Sequence, residues 1–108
     1  MSKFRNQLED YLKTIDVSAK RVLDIGGLSL PVNKRVKSWQ VQDYLILDND
    51  LEGGSTKHAY TEFDINMPLY EQSLDPSTVA ADQLFCLEVF EYVWNPVVAM
   101  VNIKQLLN

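Results

Sequence analysis

Thiols and imidazoles are almost missing from this chain. One cysteine, Cys86, and one histidine, His58, among 108 residues exclude a disulfide framework and a thiolate metal centre. Basic residues are also in short supply: ten Lys and Arg against fifteen Asp and Glu leave a formal charge of −5. With no Lys/Arg patch, no general nucleic-acid surface is expected, although the charge balance does not exclude a small cationic ligand. No window reaches membrane-spanning length, and Met1-Ser-Lys-Phe-Arg-Asn-Gln7 lacks the apolar stretch of a signal peptide. These absences predict a cytoplasmic protein with no membrane partner. Internal repeats and low-complexity tracts are absent too. The remaining composition, 46% apolar and 23% charged, is that of a globular domain or part of one, and it argues against wholesale disorder.

The most informative stretch is Lys20-Arg-Val-Leu-Asp-Ile-Gly-Gly27. Val22, Leu23 and Ile25 read as a buried strand with Asp24 as its only charge, and the paired glycines permit a tight turn. Phe4, Leu8, Tyr11, Leu12 and Ile15 recur at helical spacing, so residues 1–19 are assigned to a leading amphipathic helix lying against a sheet, with a loop near Asp16 to Ala19. Pro31 fits the first turn of a short helix that puts Val32, Val36 and Trp39 on one face. Tyr44-Leu-Ile-Leu47, closed by Asp48, reads as a second strand. A third spans His58 to Phe63 and ends at Asp64-Ile-Asn66; a fourth spans Gln83 to Leu87. Pro68 and Pro76 predict loop with a helical turn between them. Pro96 opens a last helix with Val97, Val98, Val101 and Leu106 or Leu107 facing the sheet. Strands separated by crossovers, each ending in an acid or glycines, predict an α/β fold: a Rossmann-like, mostly parallel sheet with helices on both faces. Such a sheet binds its ligand at the carboxyl ends of its strands, where Gly26, Gly27, Asp48, Asp64 and Glu88 fall.

Asp48 and Asp64 suggest the chemistry. A carboxylate at a strand end can accept both hydrogen bonds of a ribose diol. The next carboxylate can take an adenine amine while the N–H of Ile65 reaches a ring nitrogen. The acidic cluster around Asp48 lacks a full oxygen shell for a cation, so no metal is assigned. Cys86 is read as sheet packing, His58 as structural, and Trp39 and Trp94 as core or rim packing.

Val22-Leu-Asp-Ile-Gly-Gly27 resembles the first motif of class I S-adenosylmethionine-dependent methyltransferases. Tyr44-Leu-Ile-Leu-Asp48 is similar to their second strand with its ribose-binding acid, and Phe63-Asp-Ile65 to their adenine-contact motif. Ala81-Asp-Gln-Leu-Phe-Cys-Leu-Glu-Val-Phe-Glu-Tyr-Val-Trp-Asn-Pro96 looks like the fourth strand and following turn of members acting on small molecules. The resemblance implies a partial cofactor-binding domain over residues 20–108, with S-adenosylmethionine as cofactor and a small-molecule acceptor. By it, Gly26 and Gly27 pass close to the cofactor and Asp24 helps orient the methionine amine, directly or through water. Asp48 holds the ribose, Asp64 and Ile65 the adenine, and the Leu87 carbonyl meets the amine. Glu88, Glu91 and Tyr92 stand on the acceptor side, and no catalytic base is assigned.

The sequence departs from the family at three points. Leu28 and Leu30 stand where the loop has its second and third glycines, and Tyr92 replaces the histidine often found after Glu91. The chain also ends at Leu106-Leu-Asn108, where relatives continue through a Pro-Gly-Gly turn into three more strands. The family thus implies a fragment truncated after its fourth strand, with weak or absent catalysis and self-association through that strand's unpaired edge. Two other functions share parts of the pattern. One is a non-catalytic remnant or partner subunit that keeps the fold; the other is a nicotinamide-binding oxidoreductase domain, whose glycine fingerprint fits less well.

Overall fold

The computed structural model describes residues 3–49, 59–87 and 89–108. His58, Glu88 and the pair Gly53-Gly54 lie outside the described residues. Four strands, β1 (Asp16–Ile25), β2 (Ser38–Asp48), β3 (Thr61–Glu62) and β4 (Gln83–Cys86), form one sheet in the order β3-β2-β1-β4. Every pairing is parallel. The fold is α/β with a Rossmann-like strand order, as the alternation of strands and crossovers predicts. Among the described residues three helices accompany the sheet: α1 (Lys3–Leu12), α2 (Pro76–Val79) and α3 (Pro96–Leu106). No helix among the described residues is long and apolar enough to cross a membrane.

β1 is the central strand. Its Ile25 lies opposite Leu47 of β2 on one side and Cys86 of β4 on the other. Covered on both faces, Val22 to Ile25 are all buried, Asp24 included, which is why that run reads as continuously apolar. One face packs Leu23, Ile25 and Leu47 against Phe63, Ile65, Leu69 and the α3 residues Ala99 and Leu106. The other joins Val17, Val22 and Phe85 to Val32, Val36, Trp39 and Tyr44. Its cover is the β1–β2 connection, where Pro31 precedes a 3-10 turn over Val32–Lys34. α1 docks through Leu12, 1% exposed, and through a Glu9–Arg35 ion pair. Phe4 and Tyr11 are 84% and 64% exposed, so the expected apolar face of this helix meets the sheet at its carboxyl end only.

Both long strands begin earlier than their apolar runs suggest. Residues 16–20 are strand and not loop, and β2 starts at Ser38. The reason is a kink. Val17 and Ala19 share a face with Val22, and Trp39 and Val41 share it with Tyr44, so the inward parity switches from odd to even within each strand. Successive amides of a regular strand point in opposite directions. Here Lys20 N and Arg21 N both donate to the Asp82 carboxylate, at 2.9 and 3.0 Å, while the β1–β2 register keeps one offset on either side. These two N–H groups hold the Asp82 carboxyl below its usual range.

α3 also sits at a different rotation from the expected one. Ala99, Asn102 and Leu106 are buried, whereas Val97 and Val101 are 72% and 48% exposed. Asn102 sets this phase: its Nδ2 donates to Ile65 O at 3.1 Å and to Met67 O at 2.9 Å, satisfying the turn that follows β3. Beyond α3, Ala81 N donates to Leu106 O and Asn108 N to Ala81 O, both at 2.8 Å. That is one parallel rung beside the start of β4.

Asn102→Ala removes the side-chain donor from the buried Ile65 carbonyl, while Met67 O keeps the Gln72 amide, so we expect it to lower unfolding free energy by about 1–3 kcal/mol. Val101→Ser should stay within about 0.5 kcal/mol. Urea denaturation checks both, and a larger loss at Val101 would restore the rotation inferred from apolar spacing.

Candidate functional site

A parallel sheet gathers the carboxyl ends of its strands at one edge, and that edge carries most of the sequence-predicted residues. Gly26 leaves β1 at φ +78°, a conformation that side chains disfavour, while its N–H still donates to Leu47 O at 2.8 Å. A Cβ on Gly26 would run into the Val89 side chain and lie 3.9 Å from Leu87 O. The turn after β1 and the segment after β4 therefore pass within van der Waals reach. The strand order reverses direction between β1 and β4, which is where open α/β sheets leave a crevice.

Gly27 is required for a different reason. A Cβ there would overlap the Asp24 carboxylate. Asp24 is 2% exposed, and its Oδ2 accepts from Val32 N at 2.8 Å and from the Tyr44 hydroxyl at 2.6 Å. It fastens the far end of the glycine loop to β1 and β2, behind the loop and away from solvent. Burial pushes its carboxyl up to about 6, against the opposing effect of the two hydrogen bonds and the positive charge of Arg35. Tyr44 is shifted upward as well, by burial first and then by the negative charge of Asp24. Burial, with a smaller contribution from Asp24, raises the Cys86 thiol to about 11, so Cys86 stays protonated and unreactive at neutral pH.

Asp48, at the end of β2, is half-buried and accepts from Leu28 N at 3.1 Å. The acid that ends β2 and the glycine loop thus meet directly. Leu28, standing where a second glycine was expected, is 2% exposed; its side chain is packed into the protein. Asp64 follows β3, one strand further out. Its Oδ1 accepts from Asn66 N at 2.9 Å, and Gln72 brackets its backbone by accepting from Asp64 N at 2.9 Å and donating to Asp64 O at 2.7 Å. Ile65 turns its side chain into the core. Leu87 is half-buried beside Phe85 and Val32. Glu91 and Tyr92 are exposed in a short 3-10 turn, Phe90–Tyr92, beyond β4; Glu88 is outside the described residues.

Two residues that build this edge escaped the sequence reading. Asn66, 8% exposed, donates to Tyr92 O at 3.0 Å and accepts from Trp94 N and Asn95 N at 2.9 and 3.1 Å. It staples the segment after β3 to the segment after β4. Tyr44 was read as strand packing, whereas its hydroxyl joins the Asp24 network. The available signal was a polar residue next to Asp64 and a tyrosine opening an apolar strand, and neither names its partner.

Comparison with known proteins gives no family. A search against protein-family models finds no match, and neither curated proteins nor solved structures yield one. Among the described residues no group of three His, Cys, Asp or Glu side chains could hold a metal ion. An open cavity of about 500 Å³ lies among Leu69, Gln72, Leu74 and Gln105; Gly26, Gly27 and Asp48 do not line it.

The raised Asp24 carboxyl links stability to pH. The native state keeps this proton up to about pH 6, whereas the unfolded chain releases it near 3.8. The folded form therefore binds more protons between those values, and stability falls as pH rises from about 4 to about 6. The total is on the order of 3 kcal/mol. Asp24→Asn keeps the shape and removes the titration. Subtracting its urea-unfolding free energy from that of the wild type should leave a curve falling through that window, and a flat difference would contradict the assignment.

Proposed function

We propose that the carboxyl ends of β1, β2 and β4 hold the adenosyl portion of S-adenosylmethionine, and that the chain serves methyl transfer to a small-molecule acceptor. The observation that carries this reading is Asp48: a half-buried carboxylate ending a parallel strand, in direct hydrogen-bond contact with the glycine loop of its neighbour. An acceptor-only group in that position suits a vicinal diol. Near Gly26, the Leu87 carbonyl offers an acceptor to an ammonium group. Asp64 and the N–H of Ile65 take the adenine in this reading.

One implied role does not fit. Asp24 does not reach a methionine amine directly, because its carboxylate is buried and its Oδ2 is bonded to Val32 N and Tyr44. Its part is to hold the loop. When bound, the cofactor supplies an electrophilic methyl group, so the chain's own work is positioning and water exclusion. Glu91 and Tyr92 lie on the acceptor side, and no base is assigned among them.

A non-catalytic domain that keeps this fold is the second reading, favoured because both Asp24 and Asp48 bond to the chain's own loop. A nicotinamide dinucleotide would use the same carboxylate, but the loop lacks the second and third glycines of that fingerprint. Calorimetry with S-adenosylhomocysteine and with NAD tests these readings. We expect the homocysteine product to bind, NAD not to, and Asp48→Ala to weaken binding by about 1.5–3 kcal/mol. Unchanged affinity in a folded Asp48→Ala protein removes the ribose role.

Self-association through the outer edge of β4 belongs to the same proposal, since β4 ends the sheet and Val97 and Met100 of α3 are exposed. Sedimentation at micromolar concentration should show a dimer or larger species; a monomer throughout that range removes this part.

A further inference from the structure

α3 is apolar on more sides than the sheet can cover. Ala99, Asn102 and Leu106 are buried, and Ile103 packs against the core, yet Val97, Met100 and Val101 are exposed to solvent. At about 3.6 residues per turn these three share one stripe with Lys104. We propose that two copies of the chain meet through this stripe, with α3 packed antiparallel against α3 of the second copy about a two-fold axis near Met100 and Val101. This rests on the self-association proposed above and moves its main contact from the β4 edge to the helix.

Charge favours a second copy as the occupant. All fifteen Asp and Glu lie within residues 1–91, and Lys104 is the one charged side chain from Tyr92 to Asn108. Two chains of net charge −5 therefore approach through the stretch where neither presents an acid. Lys104 decides the sense of the pair. An antiparallel arrangement lays its methylene stem over Val97 of the second copy and leaves its ammonium in water. A parallel one would set the two ammonium groups face to face. The β4 edge is the poorer surface. β4 has four residues, and Ala81, just before it, already bonds to Leu106 O and Asn108 N of its own chain. A helix of eleven residues is about 16 Å long, so the contact is small and the dimer weak and reversible.

Sedimentation at micromolar concentration tests the helix face separately from association itself. Val97→Glu should raise the dimer dissociation constant about tenfold, with the urea midpoint unchanged because Val97 is exposed. If wild type associates and Val97→Glu associates as tightly, the α3 face is overturned while self-association stands. If wild type is monomeric, both fall and the stripe belongs to a different partner. For the sense of the pair, Val97→Cys and Lys104→Cys proteins are mixed under mild oxidation. The mixed disulfide should form about tenfold faster than either self-disulfide, over the background that wild type sets through its half-buried Cys86. Self-disulfides that form as fast as the mixed one overturn the antiparallel pairing.

Discussion

A carboxylate buried on the central strand organises this protein. Asp24 sits where β1 is covered on both faces, and an ionised group there is costly unless its oxygens are used. The loop supplies Val32 N and β2 supplies the Tyr44 hydroxyl. Room for the carboxylate in turn requires a residue without a side chain at Gly27. One acid thereby dictates the glycine, the path of the loop and the placement of Tyr44. At neutral pH its raised carboxyl draws on the stability that the hydrophobic faces provide.

With the loop so fixed, the second carboxylate acquires its meaning. Asp48 ends the neighbouring strand, and the parallel register brings it level with the glycine turn, Ile25 lying opposite Leu47. Asn66 and Gln72 do for the outer segments what Asp24 does for the inner one, tying backbone ends together through side-chain amides. The carboxyl edge of the sheet is thus a set of short loops held by polar side chains.

The parts legible in the sequence were those whose environment is uniform. Val22 to Ile25, interrupted only by Asp24, and Tyr44 to Leu47 are apolar runs because both faces of those segments are covered. The glycine pair, Asp48 and Pro96 announce themselves by residue type. What stayed hidden depends on distant partners. The first halves of β1 and β2 alternate and then change parity, and the change is held by Asp82, far away in sequence. α3 carries valines on two faces, so apolar spacing could not choose its rotation; Asn102 does, through carbonyls after β3. Asp24 read as a ligand contact because the family resemblance assigns it to the methionine amine, while its hydrogen bonds make it an anchor.

The central claim is that a ligand carrying an adenosyl diol binds where Asp48 meets the glycine loop. Titrating isotope-labelled protein with S-adenosylhomocysteine and following backbone amide shifts tests it residue by residue. The account predicts the largest shifts at Gly26, Gly27, Leu28 and Asp48, with smaller ones near Leu87 and Ile65. Shifts confined to the cavity by Leu69, Leu74 and Gln105, or none at millimolar ligand, would contradict it.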